Sequence, residues 1–247
     1  MAVWEICSFE YDVPLDRLFS RRLHQAGASG AIEPIPDGVR IRLAGENAPL
    51  QLAEATARVL LRDLQYLVIA HMTDAVPLPL TEKRIVLRGA LAAARQREEI
   101  APLRMQLAAY FGEQNALCLD GFLCFRMQEV LMLWQLCVEQ AAQKRILDAE
   151  YGALMQSLRD YAAQQQARMG ELRLCIHPDG SVTLSDDDRL EIEYADSSPA
   201  GIVTLLVRMA PQHLSILDRS GGAQSELCST LLSVFAGRAD IQKEPVP

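Results

Sequence analysis

Leu119-Asp120-Gly121-Phe122-Leu123-Cys124-Phe125-Arg126 opens an unusually apolar helical run that leads through Asp148-Ala149-Glu150-Tyr151 into a polar, glutamine-rich ending. From Phe122 to Val138 the chain is apolar on nearly all sides of a helical period. Such a segment is either a core helix surrounded by its own protein or a helix with a second face reserved for a partner. Around it, Leu80 to Arg168 contains only Pro102 as a strong breaker, with Gly89, Gly112, Gly121 and Gly152 as softer punctuation. Residues 80–169 therefore read as several packed helices.

Towards the N-terminus, residues 1–76 read as a small α+β unit. Val3 to Phe9 is a short strand-like run, and Pro14 suits the first turn of an amphipathic helix carrying Leu15, Leu18, Phe19 and Leu23, with Gly27 as its stop. Asp37-Gly38 makes a turn before Val39, Ile41 and Leu43, which alternate with Arg40 and Arg42 as a strand with one wet face does. Pro49 to Met72 returns to a helical pattern through Leu52, Ala55, Val59, Leu60, Asp63 and Leu67. Pro77 and Pro79 break the chain, so Asp74 to Pro79 is a boundary, and Thr81-Glu82-Lys83-Arg84 offers an N-cap for the next helix.

Towards the C-terminus, residues 170–241 form a second α+β unit. Leu172, Leu174 and Ile176 alternate as a strand, Pro178-Asp179-Gly180-Ser181 turns, and Val182 and Leu184 return as a hairpin partner. Asp186-Asp187-Asp188 is a polar turn, lacking the spacing of a calcium loop, before a third strand at Leu190, Ile192 and Tyr194 with Glu191 and Glu193 on its outer face. Ser197-Ser198-Pro199 starts a helix that runs to about Ala210. His213 to Leu217 is a strand, Ser220-Gly221-Gly222 a loop, and Ser225 caps a last helix that Gly237 ends, with Lys243 to Pro247 frayed. The fold class is α+β, a helical central region flanked by small mixed units.

A chain of 247 residues, half hydrophobic and 23% charged, has the composition of an ordered globular protein. Its net charge of −8 repels a phosphate backbone unless basic residues gather on one surface, and Arg21-Arg22 and Lys144-Arg145 read as isolated pairs. Nucleic acid is thus not an expected partner. Charged residues interrupt every candidate spanning segment, so no integral membrane segment is expected, and the N-terminus lacks a signal-peptide pattern. Of the six cysteines, Cys118, Cys124 and Cys137 fall in apolar helical sequence, which fits buried thiols in a reducing cytoplasm.

At Gly121-Phe122, Phe125-Arg126, Glu150-Tyr151, Arg159 and Gln165 the chain resembles the YtxC-like family of sporulation proteins from endospore-forming bacteria. His177, ahead of an acidic turn, stands where that family carries a histidine. The resemblance covers about residues 117–241 and departs at Gln143, Lys144 and Ala149, where acidic residues and a lysine are expected. It implies a role in spore formation and a cytoplasmic setting, and brings no reaction with it.

Chemistry is sparse in the remaining residues. Arg126, beside a long apolar run, must pair or reach the surface: with Glu129 one turn on, with helix-end carbonyls, or with an anion or partner. Glu150, Tyr151, Arg159 and Tyr161 form a polar strip, or simply a solvated helix face. The histidines lie in separate elements, and Cys118 and Cys124 lack zinc spacing, so neither a metal nor a cofactor is expected. Ser220, Gly221 and Gly222, between a strand and a helix, are the one arrangement resembling an anion cradle. The balance points to a non-enzymatic protein that binds a protein partner or itself. The rival reading is a sensor or enzyme for a small anionic ligand, using that loop with Arg126 or Arg219.

Overall fold

The computed structural model describes residues 2–97, 99–186, 191–194, 198–222 and 225–242, with 191–194 and Ser225 described by backbone alone. It is an α+β protein that divides into two compact units, Met1–Ile146 and Leu147–Pro247. The helical region is divided between them, so the three segments read from the sequence differ in secondary structure while the two units differ in which core they build. Each unit has its own sheet.

Unit one begins with β1 (Ala2–Cys7) and α1 (Leu15–Gln25), which buries Leu15, Phe19 and Leu23 as its apolar spacing dictates. A strand with no clear signal in the sequence, β2 (Gly30–Ile35), pairs with β3 (Gly38–Leu43) as an antiparallel hairpin. Pro34, glycine and alanine give β2 weak strand character of its own, and its position at the sheet edge tolerates the proline. Gly38 is needed where it stands: a Cβ there would lie 2.3 Å from the Ile6 carbonyl oxygen of the neighbouring strand.

One long helical stretch follows, in three parts: α2 (Ala48–Arg58), a π-helical segment (Val59–Leu64) and α3 (Gln65–Asp74). Small alanines at 53, 55 and 57 let neighbours approach closely, and Leu52, Leu60, Leu64 and Ile69 are fully buried. This stretch, rather than Phe122–Val138, is the surrounded helix of the unit. α4 (Leu80–Arg97) starts one residue before the expected Thr81 cap, because the Pro79 carbonyl already accepts from Lys83 N–H. The expected break at Pro102 falls just ahead of it: α4 ends at Arg97, and Pro102 sits in the first turn of α5 (Ile100–Glu113), where its missing N–H is harmless.

A short strand, β4 (Ala116–Cys118), joins β1 in parallel and gives the sheet order β2-β3-β1-β4. It is too short for a periodicity signal. Then come α6 (Leu119–Arg126) and α7 (Gln128–Gln164), bent from each other by 82° at Met127. The expected single helix over Phe122–Val138 is thus two helices. Among the described residues no single helix is long and apolar enough to cross a membrane.

Unit two takes the end of α7 and a sheet of β5 (Met169–Ile176), β6 (Val182–Asp186), β7 (Glu191–Tyr194), β8 (Pro211–Asp218) and β9 (Ala239–Gln242) in the order β7-β6-β5-β8-β9. The hairpin meander is antiparallel, while β8 and β9 run parallel to β5 through α8 (Pro199–Met209) and α9 (Ser225–Val234). Ser198 Oγ accepts from Gly201 N–H at 3.2 Å, the expected cap with Pro199 in the first turn. Leu172, Leu174 and Ile176 are buried with Leu214 and Ile216 against Ile202, Leu206 and Leu231. β9 is not evident in the sequence; its four residues are mostly exposed and carry no alternation. Asp187-Asp188, Leu190, Ser197, the side chains of Glu191, Glu193 and Ser225, and the Lys243–Pro247 tail lie outside the described residues.

Candidate functional site

The α6–α7 elbow is built from its first turn. Asp120 is buried at the start of α6, and its carboxylate accepts from Ser8 Oγ at 2.9 Å and from the backbone N–H groups of Phe9 and Glu10. A buried carboxylate holds its place only when so bonded, and it ties the loop after β1 to the helix. Phe122, two residues on, is buried edge-to-face on Tyr110, with ring centroids 6.1 Å apart. Gly121 is not forced by space, since the nearest atoms to an added Cβ would be those of Cys118 at 3.8 and 3.9 Å.

Met127 makes the bend. Its φ of −117° and ψ of 31° leave the helical region, its N–H closes α6 on the Leu123 carbonyl, and its own carbonyl opens α7 by accepting from Leu131 N–H. Its side chain is buried, as are Trp134, Cys137 and Val138 beyond it. A straight helix could not bury Phe122 and Leu123 together with these residues and also hold Phe125 out; the bend does both. Phe125 is 78% exposed and Met132 71% exposed.

Arg126 is exposed at the same corner and is not paired with Glu129, contrary to the expectation from their spacing. Ending α6 at Arg126 and restarting at Gln128 destroys the helical register that would have stacked the two. Phe125, Arg126, Met127, Glu129 and Leu133 instead line one wall of a groove of about 580 Å³, with Arg97, Glu99 and Leu103 opposite. Among the described residues the lining carries two arginines, Arg97 and Arg126, and two glutamates, Glu99 and Glu129, with the exposed Phe125 ring beside them.

The remaining family-motif positions fall in unit two. Glu150 is exposed, and Tyr151 reaches Thr230 Oγ1 at 3.4 Å. Arg159 donates from Nε and Nη2 to the carbonyl and Oγ of Ser233, both at 2.7 Å, at the end of α9. The Gln165 carbonyl accepts, at 3.5 Å, from Arg238, a residue that carries no signal in the sequence. The polar strip thus contains a helix-packing contact, and Arg159 is its centre.

The Ser220-Gly221-Gly222 loop is already served by an anion of the chain itself. Asp218 Oδ1 accepts from Ser220 N–H at 2.8 Å and from Ser220 Oγ at 2.5 Å. Gly221 and Gly222 have φ of 67° and 92°, which explains the glycines as turn formers.

No activated nucleophile emerges among the described residues. Burial, and then the neighbouring Cys118, pushes the Cys7 thiol up to about 11, and burial also raises Cys124 and Cys228. Such thiols stay protonated at neutral pH. His177 bonds Thr183 and His213 bonds Asp240. Among the described residues no group of three or more His, Cys, Asp or Glu could hold a metal ion.

Comparison with known proteins gives one positive result. The model of the YtxC-like family matches residues 81–240, which takes in the elbow, α7 and nearly all of unit two. No curated protein and no solved structure matches the chain.

Proposed function

This chain belongs to the YtxC-like family, and from that membership we propose that it is a cytoplasmic, non-enzymatic protein of spore formation that works by binding a protein partner or a second copy of itself. The observation that carries this reading is Phe125, an aromatic ring 78% exposed on a short helix whose other aromatic, Phe122, is buried. Rings of this size cover themselves in the core unless an interface does so, and aromatic side chains beside an arginine are the usual anchors of protein–protein contacts. Met132 and Leu136 extend the apolar surface along α7.

Native mass spectrometry of the protein taken gently from its own sporulating cells tests this. A dimer or a stoichiometric protein complex that Phe125→Asp disperses supports it. A monomer without a bound protein, or a complex indifferent to Phe125→Asp, removes it. A monomer carrying a discrete small molecule would favour the rival reading, which the Asp218 carboxylate in the Ser220 loop weighs against.

A further inference from the structure

The parallel pairing of β1 and β4 sets two thiols side by side. In that ladder Ile6 stands against Leu117, and Cys7 against Cys118. Side chains alternate along each strand, so with Ile6 and Leu117 turned into the core the two cysteines share the opposite face, where both are half-buried. The Cys7 thiol leans across to β4 and donates to the Leu117 carbonyl, with Sγ 3.7 Å from the oxygen. The Cys118 thiol donates to Asp120 Oδ2 at 3.9 Å, and Cys118 is also a hydrogen-bond partner of Cys7.

Paired positions on neighbouring strands lie about 4.8 Å apart, inside the window of roughly 4.4–6.8 Å between Cα atoms that a disulfide spans. A bond between these two residues therefore needs side-chain rotation rather than a new backbone path. Cys175 differs, since its ladder partners are Thr183 and Leu217. The pair also stands at a junction. Cys7 ends β1, ahead of the Ser8–Glu10 segment that Asp120 holds, and Cys118 ends β4, ahead of α6. β4 meets β1 over three positions only, so a covalent link at its end would fasten a strand that backbone pairing alone holds briefly.

We propose that Cys7 and Cys118 are a dithiol that a low-molecular-weight disulfide oxidises to an intramolecular disulfide. Cys118 reacts first, because burial holds the proton on Cys7. It gives up its proton, and its sulfur displaces one thiol from the reagent to form a mixed disulfide. The Cys7 sulfur, deprotonated in turn, attacks the Cys118 sulfur and releases the second reagent thiol. The chain loses two electrons and two protons, and one reagent disulfide becomes two thiols. Burial of Cys7 makes the second exchange slow, so the bond follows its equilibrium with the disulfide pool rather than a rapid cycle. A reducing cytoplasm keeps both thiols free, and a rise in small disulfides closes the bond.

The test is to equilibrate the full-length protein with mixtures of glutathione and glutathione disulfide, quench in acid and weigh it by mass spectrometry. Cys124→Ser serves as the background, since it removes the exposed thiol of α6. The expected product is a chain lighter by two hydrogens whose peptide map joins the Cys7 and Cys118 segments. Its equilibrium constant should fall at least ~10-fold when urea unfolds the chain, because a bond that fits the fold is favoured by it. The urea midpoint of the oxidised protein should accordingly rise by about 1 M. Cys7→Ser and Cys118→Ser, each in the same background, should yield no lighter product. Absence of the lighter product in the parent background, a map joining a different pair of cysteines, or an equilibrium constant indifferent to urea would overturn the pair.

Discussion

Arg159 and Arg238 each serve the end of the other's helix. Arg159, on α7, donates to the carbonyl and hydroxyl of Ser233 in the last turn of α9. Arg238, just past α9, donates to the carbonyls of Ala162, Ala163 and Gln165 at the end of α7. Both helix ends carry carbonyls without helical partners and the negative end of the helix dipole, so each arginine satisfies bonds and charge together. The Arg159 contacts are short, at 2.7 Å, while those of Arg238 run from 3.3 to 3.5 Å, so Arg159 contributes more.

Arg159→Ala should therefore destabilise unit two by about 1–3 kcal/mol, and Arg238→Ala by less. Both tryptophans, Trp4 and Trp134, lie in unit one. Urea unfolding followed by far-ultraviolet circular dichroism should shift in Arg159→Ala while the tryptophan fluorescence transition stays in place. Coincident shifts of both signals would show that Arg159 does not act within unit two alone.

Arg159 also shows where sequence reasoning ends. Its position in a family motif is plain in the sequence, but its partner, Ser233, lies 74 residues away and has no local signature. Elements with a strong period were readable: the α1 stripe, the β3 alternation, the Ser198-Pro199 helix start. Edge strands and a three-residue strand were not, because their residues take strand form only through pairing with a neighbour. The Met127 bend was hidden for a different reason. Methionine carries no breaker signal, and the bend arises from two sets of apolar residues that must be buried in different directions. The grouping of Arg21, Arg22, Arg58, Arg62 and Arg95 near Asp63 needed tertiary structure altogether, since those arginines come from four elements.

Asp120 is expected to matter to the fold rather than to the surface. Replacing it by alanine leaves Ser8 Oγ with only the Tyr11 carbonyl and removes the acceptor of two part-buried backbone N–H groups, for a loss of about 1–3 kcal/mol. Tryptophan fluorescence in urea reads this directly through Trp4 on β1. Asp120→Asn, which keeps one acceptor oxygen, should recover part of the loss. Equal stability of Asp120→Ala and the parent would mean that the loop after β1 does not depend on this carboxylate.

The two phenylalanines of α6 make opposite demands. Phe122→Ala empties a packed site against Tyr110 and should lower stability by about 3–5 kcal/mol. Phe125→Ala removes a ring that is mostly in water and should change stability by no more than about 0.5 kcal/mol while weakening partner binding. Thermal melting of the isolated protein separates the two. A large melting loss in Phe125→Ala would place that ring in the core and remove it as a docking residue.

Cys7 makes stability depend on alkaline pH. Burial, and then Cys118, raises its thiol from an ordinary value of 9.0 to about 11, so the folded chain keeps a proton that the unfolded chain releases between those values. The resulting stability is fully present below the unfolded value and is lost as pH rises through the folded one. Tyr11, Cys124 and Cys228 are raised as well and act in the same direction. Urea midpoints compared at about pH 8 and about pH 10.5 should fall, and Cys7→Ser, whose hydroxyl does not titrate, should fall less. Cys118 is the β4 residue paired with Cys7, so the same slope reports on the junction between β1 and β4. An unchanged slope in Cys7→Ser would mean that the thiol is as exposed to water in the folded protein as in the unfolded one.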